Sequence, residues 1–262
     1  MRSLPNRGKH SVEILGVRIN TYSKSEVFSS VEEFIRDRKP HLVWTCNVDH
    51  LMKLTRDGEF RDIYEASDLV LADGMPLVWV SKLFGRPIPE RITGIDFLEE
   101  FAAVAEKRGY RYFFLGGSTI VLQKAKAALQ KKYPKLRIST HAPSYAARWS
   151  KPENEMIISA IREARPDLLF VGVGAPKQEK WIYQNWKKLN VPVAMGVGGA
   201  LEMVAGTKKR APRWMQNVGL EWLFRFLQDP RRLLKRYFLF DIWFPFFVLH
   251  ALVIKWFRRL HS

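Results

Sequence analysis

One cysteine, Cys46, occurs in 262 residues, so no disulfide can form within the chain and a reducing compartment fits. No G-x-x-x-x-G-K-[ST] is present, which excludes a P-loop. Neither D-x-D, H-E-x-x-H nor a paired C-x-x-C occurs, and the six histidines (10, 41, 50, 141, 250, 261) are scattered, so no metal site is expected. The opening MRSLPNRGKHSVEILG is basic but has no apolar h-region, so it does not read as a secretory signal. Nothing before residue 237 is long and apolar enough to span a bilayer. Repeats and low-complexity tracts are missing as well. Acids are outnumbered: 26 Asp and Glu face 43 Lys and Arg, a formal net charge of +17. Such a balance argues for an anionic partner, whether nucleic acid, an anionic membrane surface or a phosphorylated substrate.

What is present is alternation. Hydrophobic residues make up 47% of the chain, enough for a sizeable core. VEILGVRI (12–19) reads as a strand or short hairpin, and Ser23-Lys24-Ser25-Glu26 as a capping box opening a helix to about Asp37. HLVWTC (41–46), DLVLA (68–72), RYFFLGG (111–117), LRIST (136–140), DLLFVGVG (167–174) and VPVAMGVGG (191–199) read as further strands, with helical segments between them. Continuous apolar strands separated by helices imply an α/β, Rossmann-like, mainly parallel sheet covered on both faces, spanning residues 1–206. In such a fold ligands sit outside the carboxyl ends of the strands. Those ends carry Thr45 and Asn47, Asp73-Gly74, Gly116-Gly117, Gly172-Val173-Gly174 and Gly196-Val197-Gly198-Gly199. Glycine turns on one rim fit close approach of a phosphate-bearing ligand. GVGAPK (172–177) and GVGGAL (196–201) both fail G-x-G-x-x-G at its last position, so a dinucleotide dehydrogenase fits poorly.

The last fifth differs in kind. Residues 207–262 hold twelve basic residues against three acids, and end in the apolar FLFDIWFPFFVLHALVIKWF (238–257). Its uninterrupted core, Ile242–Ile254, would be about 20 Å long as a helix, short of the roughly 30 Å hydrocarbon layer. Basic residues flank it on both sides. An interfacial or partly inserted helix is therefore favoured over a span, with packing against a second copy, a homo-oligomer, as the other reading. Residues 207–262 thus read as a basic and apolar helical appendage that associates with a membrane. No nucleic-acid recognition motif accompanies the charge, so a nucleic-acid-binding protein is the weaker alternative, as is a non-catalytic membrane scaffold.

Several stretches, in order, resemble a known family. They are TCNVDHL (45–51), LADGMPLVW (71–79), ERITGIDF (90–97), FFLGG (113–117), VGVGAPKQEKW (171–181), GVGGALE (196–202), AGTKKRAPRW (205–214) and GLEWLFRFLQDPRR (219–232). Together they resemble the WecG/TagA/CpsF family of bacterial glycosyltransferases over roughly residues 12–237. The resemblance implies an inverting transfer, without a metal or other cofactor, of an N-acetylmannosamine-type sugar or a related hexose or uronic acid. The donor would be a UDP-sugar and the acceptor a polyprenyl-pyrophosphate-linked saccharide. The enzyme would work peripherally at the cytoplasmic face of the bacterial plasma membrane, in cell-surface polysaccharide synthesis.

Roles follow from the resemblance. Asp73 would be the general base that takes the acceptor hydroxyl's proton; from spacing alone it could equally be a turn residue or helix cap. Thr45 and Asn47 would shape the sugar site, although Asn47 also suits an N-cap. Arg91 would pair with a phosphate. Gln178 and Lys177, at the start of a helix entered through Pro176, would contact the donor's sugar or diphosphate. Gly116, Gly172, Gly174, Gly196, Gly198 and Gly199 would form the diphosphate turns. Glu202, where many family members carry Asp, would bind ribose hydroxyls. Arg210 and the appendage residues Arg225, Arg232, Lys235 and Arg236 would neutralise pyrophosphate charge, with Arg225, Arg232 and Arg236 spaced to share one helical face.

Overall fold

The computed structural model describes residues 10–231, 233, 234 and 241–260, and of residues 258–260 the backbone alone. A hairpin, β1 (Ser11–Ile14) and β2 (Val17–Asn20), turns through Leu15 and Gly16, both at positive φ. The strands β3 (His41–Cys46), β4 (Leu69–Ala72), β5 (Arg111–Leu115), β6 (Arg137–His141), β7 (Leu168–Val171) and β8 (Val193–Gly196) form one sheet in the order β4-β3-β8-β7-β5-β6. Every pairing in it is parallel. β3, β4, β7 and β8 are buried along their whole length. Both faces are covered, which is why these strands are runs rather than alternations.

The helices divide between the two faces. On one lie α2 (Val48–Leu54), α3 (Gly58–Glu65), α4 (Met75–Leu83), α7 (Lys151–Ala164) and α8 (Lys177–Leu189), together with the hairpin. On the other lie α1 (Lys24–Asp37), α5 (Gly94–Arg108), α6 (Thr119–Lys132) and α9 (Ala200–Val204). The expected capping box is present: Ser23 accepts from Glu26 N–H and the Glu26 carboxylate accepts from Ser23 N–H. Phe97, Phe101, Tyr112 and Phe170 pack at ring distances of 4.8–6.3 Å under α5. The hairpin shields one sheet edge, with Asn20 Oδ1 accepting from Val70 N–H.

Beyond residue 206 come α10 (Arg213–Asn217), α11 (Glu221–Gln228), a single 3-10 turn (Asp241–Trp243) and α12 (Phe244–Leu260). α12 buries Phe244 and Val248 in the same core as α2 and α8, with Leu252 packed beside them. Lys255, one further turn along, donates to Phe84 O at 2.7 Å. The opposite side leaves Phe246, Leu249 and Trp256 about as exposed as surface residues, at 67%, 62% and 59%. Among the described residues no helix is long and apolar enough to cross a membrane.

One expectation about the appendage is corrected. α11 stops at Gln228, because Asp229 leaves the helical region (φ −144, ψ 64) ahead of Pro230. The pyrrolidine ring disfavours a helical residue before it. α11 therefore carries Arg225 but does not continue past Gln228. Arg232, Lys235 and Arg236 lie outside the residues whose side chains are described.

Candidate active site

Parallel pairing brings all six carboxyl ends to one rim. In the register, Cys46 stands opposite Ala72, Trp44 and Val171 both opposite Gly196, and Leu115 opposite Val171. The chain leaves β3 and β7 toward one face but leaves β8, which lies between them, toward the other. Diverging exits open a crevice at the end of β8.

The rim glycines do two different jobs. A Cβ on Gly116 (φ +121) would meet Gly172 O at 2.6 Å, and one on Gly172 would meet Gly198 O at 2.8 Å. One on Gly196 would meet the Gln178 amide nitrogen at 2.7 Å. These three are needed because the turns pack backbone against backbone or against a buried amide. Gly174 (φ +85) and Gly198 (φ +52) have nothing within 4 Å of that position. They take left-handed conformations facing open space, where a ligand can approach. Gly199 would bring a Cβ to 3.3 Å from the Glu202 carboxylate.

Gln178 ties these turns together. Its Oε1 accepts from Gly174 N–H at 3.1 Å and from Gly198 N–H at 3.0 Å, and its Nε2 donates to Glu179 Oε1 at 2.7 Å. The side chain is buried. The expectation that Gln178 faces the sugar or diphosphate is thus corrected: its amide is spent within the protein, and it acts by setting the turns. Pro176 is the N-cap of α8 rather than its first residue, and Lys177 opens the helix. Lys177 leans away from the rim glycines, donating to Ala146 O and standing 4.3 Å from the centre of the Trp149 ring. Burial lowers its pKa.

No site role was expected of Glu179 or His50. Both are buried. His50 Nε2 lies 3.7 Å from Glu179 Oε1, and His50 Nδ1 lies 2.8 Å from Asn47 Oδ1. Asn47 is the N-cap of α2, its Oδ1 accepting from His50 N–H. The signal for the pair was the spacing of Asn47 and His50 as N-cap and N3. Nothing in the sequence placed Glu179 opposite them. Thr45 is buried and donates its hydroxyl to Gly196 O at 3.2 Å, locking β3 to β8 at the rim.

Asp73 behaves differently from the acids at the other rim. Asp68, at the start of β4, accepts from Leu42 N–H at 3.0 Å. Asp167, ahead of β7, accepts from Arg111 N–H at 2.8 Å and pairs with Arg38. Both are used in construction. The Asp73 carboxylate caps nothing: the N-cap of α4 is Gly74, without a side-chain hydrogen bond. Gly74 adopts φ +141, ψ 144, a conformation that only glycine takes readily. The turn-or-cap reading of Asp73 therefore falls away. Desolvation raises the Asp73 pKa, and Glu221 raises it further, against the lowering influence of Arg225, His50 and Arg91.

The arginines are already engaged. Arg91 donates to Glu221 Oε2 at 2.8 Å and to Gln216 Oε1 at 2.9 Å, and lies 3.4 Å from Asp96. Arg225 pairs with the other oxygen of Glu221 at 2.6 Å, and Arg210 with Asp96 at 2.6 Å. A cleft of about 580 Å³ opens beside them, between α5 and α10. Glu202, half-exposed on α9, pairs with Lys208. Among the described residues no group of three or more His, Cys, Asp or Glu is placed to hold a metal ion.

The fold is a doubly wound parallel sheet whose strand-end rim gathers glycine turns, the Asp73 carboxylate and a cluster of arginines. The chain belongs to the glycosyl transferase WecG/TagA/CpsF family, which it matches across residues 12–260, and it is a hexosyltransferase. It is similar to the N-acetylglucosaminyldiphosphoundecaprenol N-acetyl-β-D-mannosaminyltransferase of Staphylococcus aureus strain MW2, at 30% identity over 224 residues, 85% of this chain and 86% of the relative. The enzymes of the same name from strains NCTC 8325 and MRSA252 show the same identity and coverage.

Proposed function

We propose that this enzyme transfers an N-acetylmannosamine-type sugar, with inversion, from a UDP-sugar to a polyprenyl-pyrophosphate-linked saccharide at a membrane surface. The observation that carries the reading is Asp73, an uncommitted carboxylate with a raised pKa on the strand-end rim, set among Arg91 and Arg225. In the transfer, an acceptor hydroxyl attacks C1 of the donor sugar and gives its proton to the Asp73 carboxylate. The bond from C1 to the phosphate oxygen breaks, and UDP leaves with the electron pair. A raised pKa makes Asp73 a better base than an ordinary aspartate. Arg91, Arg210 and Arg225 supply cationic partners for the leaving diphosphate without a metal. Gly174 and Gly198 leave room for the donor to approach the backbone. The names of the staphylococcal relatives support the choice of sugar and lipid acceptor.

The exposed apolar side of α12, with basic residues near its end, supports peripheral docking on the anionic cytoplasmic leaflet. Docking would bring the cleft to a lipid-linked acceptor. The test is Asp73→Asn, assayed for UDP release with UDP-N-acetylmannosamine and a polyprenyl-pyrophosphate-N-acetylglucosamine acceptor. Transfer should vanish while UDP binding persists. Undiminished turnover would remove Asp73 from the chemistry.

A further inference from the structure

The arginines expected to meet a diphosphate are held by a carboxylate of the protein itself. Glu221, on the first turn of α11, gives one oxygen to Arg91 at 2.8 Å and the other to Arg225 at 2.6 Å. Its side chain is 14% exposed, so the pairing is strong compared with a surface bridge. Among the described residues the Glu221 carboxylate has no other partner. Asp96, the other acid in the cluster, is fixed in a different way. It accepts from the Thr93 hydroxyl at 2.8 Å and its own N–H is capped by the same residue, within the first turn of α5. Glu221 stands on an eight-residue helix with no fully buried side chain. A carboxylate so held can swing away, whereas Asp96 cannot without unwinding a cap.

A guanidinium fork pairs carboxylate and phosphate oxygens with the same geometry. We propose that Glu221 is a placeholder for phosphate: it holds Arg91 and Arg225 together beside Asp73 in the resting enzyme and yields both to the diphosphate of the substrate. Glu221 is thus a positioning residue, and it competes with the ligand it prepares for. Its charge also raises the Asp73 pKa. The inference rests on the proposed glycosyl transfer. The diphosphate could belong to the donor or to the lipid-linked acceptor, since both carry the same chemistry.

The experiment compares wild type with Glu221→Gln by calorimetry, titrating UDP in one arm and a short-chain prenyl-pyrophosphate-linked N-acetylglucosamine in the other. Removing the competing charge should tighten binding of one ligand by about threefold to tenfold, and that ligand is the one whose phosphates take the arginines. The acidic limb of the kcat/KM profile should move to lower pH, because a like charge near Asp73 is gone. A merely structural tether between α11 and Arg91 predicts the reverse in binding: weaker affinity for both ligands, which overturns the proposal. Glu221→Asp keeps the charge on a shorter stem that cannot bridge both guanidiniums. It should tighten the same ligand by a smaller factor, and unchanged or weaker binding in that variant also overturns the proposal. Wild-type protein that binds neither ligand would instead refute the glycosyl-transfer reading itself.

Discussion

Gln178→Ala separates two readings of one residue. The substitution deletes the acceptor of the Gly174 and Gly198 N–H groups and the donor to Glu179 Oε1, three hydrogen bonds in all. A buried polar group left without a partner costs about 1–3 kcal/mol, but water can reach the turns from the rim, so the sum falls to roughly 2–4 kcal/mol. For a domain of this size that corresponds to a fall in Tm of roughly 4–16 °C. Chemical unfolding followed by circular dichroism reads it directly, and UDP titration reads the second consequence, weakened binding through disordered turns. Gln178→Glu sharpens the case. It keeps the oxygen that accepts from the two glycines but sets a second carboxylate against Glu179, where Nε2 now donates at 2.7 Å. It should therefore be destabilising at neutral pH and recover as the pH falls and one of the two acids is protonated. If Gln178→Ala kept full stability but lost activity, the amide would be facing a ligand and the reasoning from its hydrogen bonds would be wrong.

The glycine turns give a paired test. Gly116→Ala should lose about 2–5 kcal/mol, because its Cβ would lie 2.6 Å from Gly172 O at φ +121, whereas Gly198→Ala, strained but unobstructed, should lose about 1 kcal/mol and mainly weaken UDP binding. Equal losses in the two, measured by denaturant titration, would deny the division. Asp73 carries a pH signature: the base must be ionised, so kcat/KM should fall as the pH drops through a value above the usual aspartate range. A carboxyl whose folded pKa is raised makes the protein less stable as the pH rises from the unfolded pKa through the folded one, so Asp73→Asn should melt no lower than wild type at pH 7. A lower melting point would mean that the Asp73 carboxylate is structural. Replacing Phe246, Leu249 and Trp256 together by Ser should leave Tm unchanged, since all three are exposed, and should abolish co-sedimentation with anionic vesicles, each side chain contributing about tenfold or more. Undiminished co-sedimentation would assign membrane contact to another surface.

The strands and most helices were legible because burial on both faces leaves an apolar run, and because caps such as Ser23 and Thr93 are written locally. The order β4-β3-β8-β7-β5-β6 was not legible, since β8 enters between β3 and β7 from far along the chain. The site followed the same division. Asp73 and the glycines could be placed on a rim from strand ends alone. What Gln178 does could not, because its partners lie four and twenty residues away on two different turns. Extending the helical spacing of Arg225 past residue 228 neglected a local signal, Pro230, ahead of which α11 ends. The pairing of Glu221 with Arg91, 130 positions apart, exists only once the appendage is laid against the sheet.

β4 shows how one strand can serve both stability and chemistry. Its two ends carry aspartates five residues apart, Asp68 and Asp73. The first enters the sheet through a backbone N–H of the neighbouring strand, so its charge is satisfied and fixes register. The second meets a glycine in a conformation that turns the chain away before its carboxylate can cap α4. It is left partly desolvated, with only long-range help from Arg225, Arg91 and His50. A folded protein tolerates such a group at a loss of stability, and removes it unless something else is gained. Here the gain is basicity aimed at the rim where the arginines converge. The arginines in turn are kept from over-stabilising the Asp73 anion by Glu221, which neutralises them until a phosphate arrives. The acid, the glycine behind it and the carboxylate across from it are therefore one arrangement. Disturbing Gly74 or Glu221 should be felt first in the ionisation of Asp73 and only then in the fold.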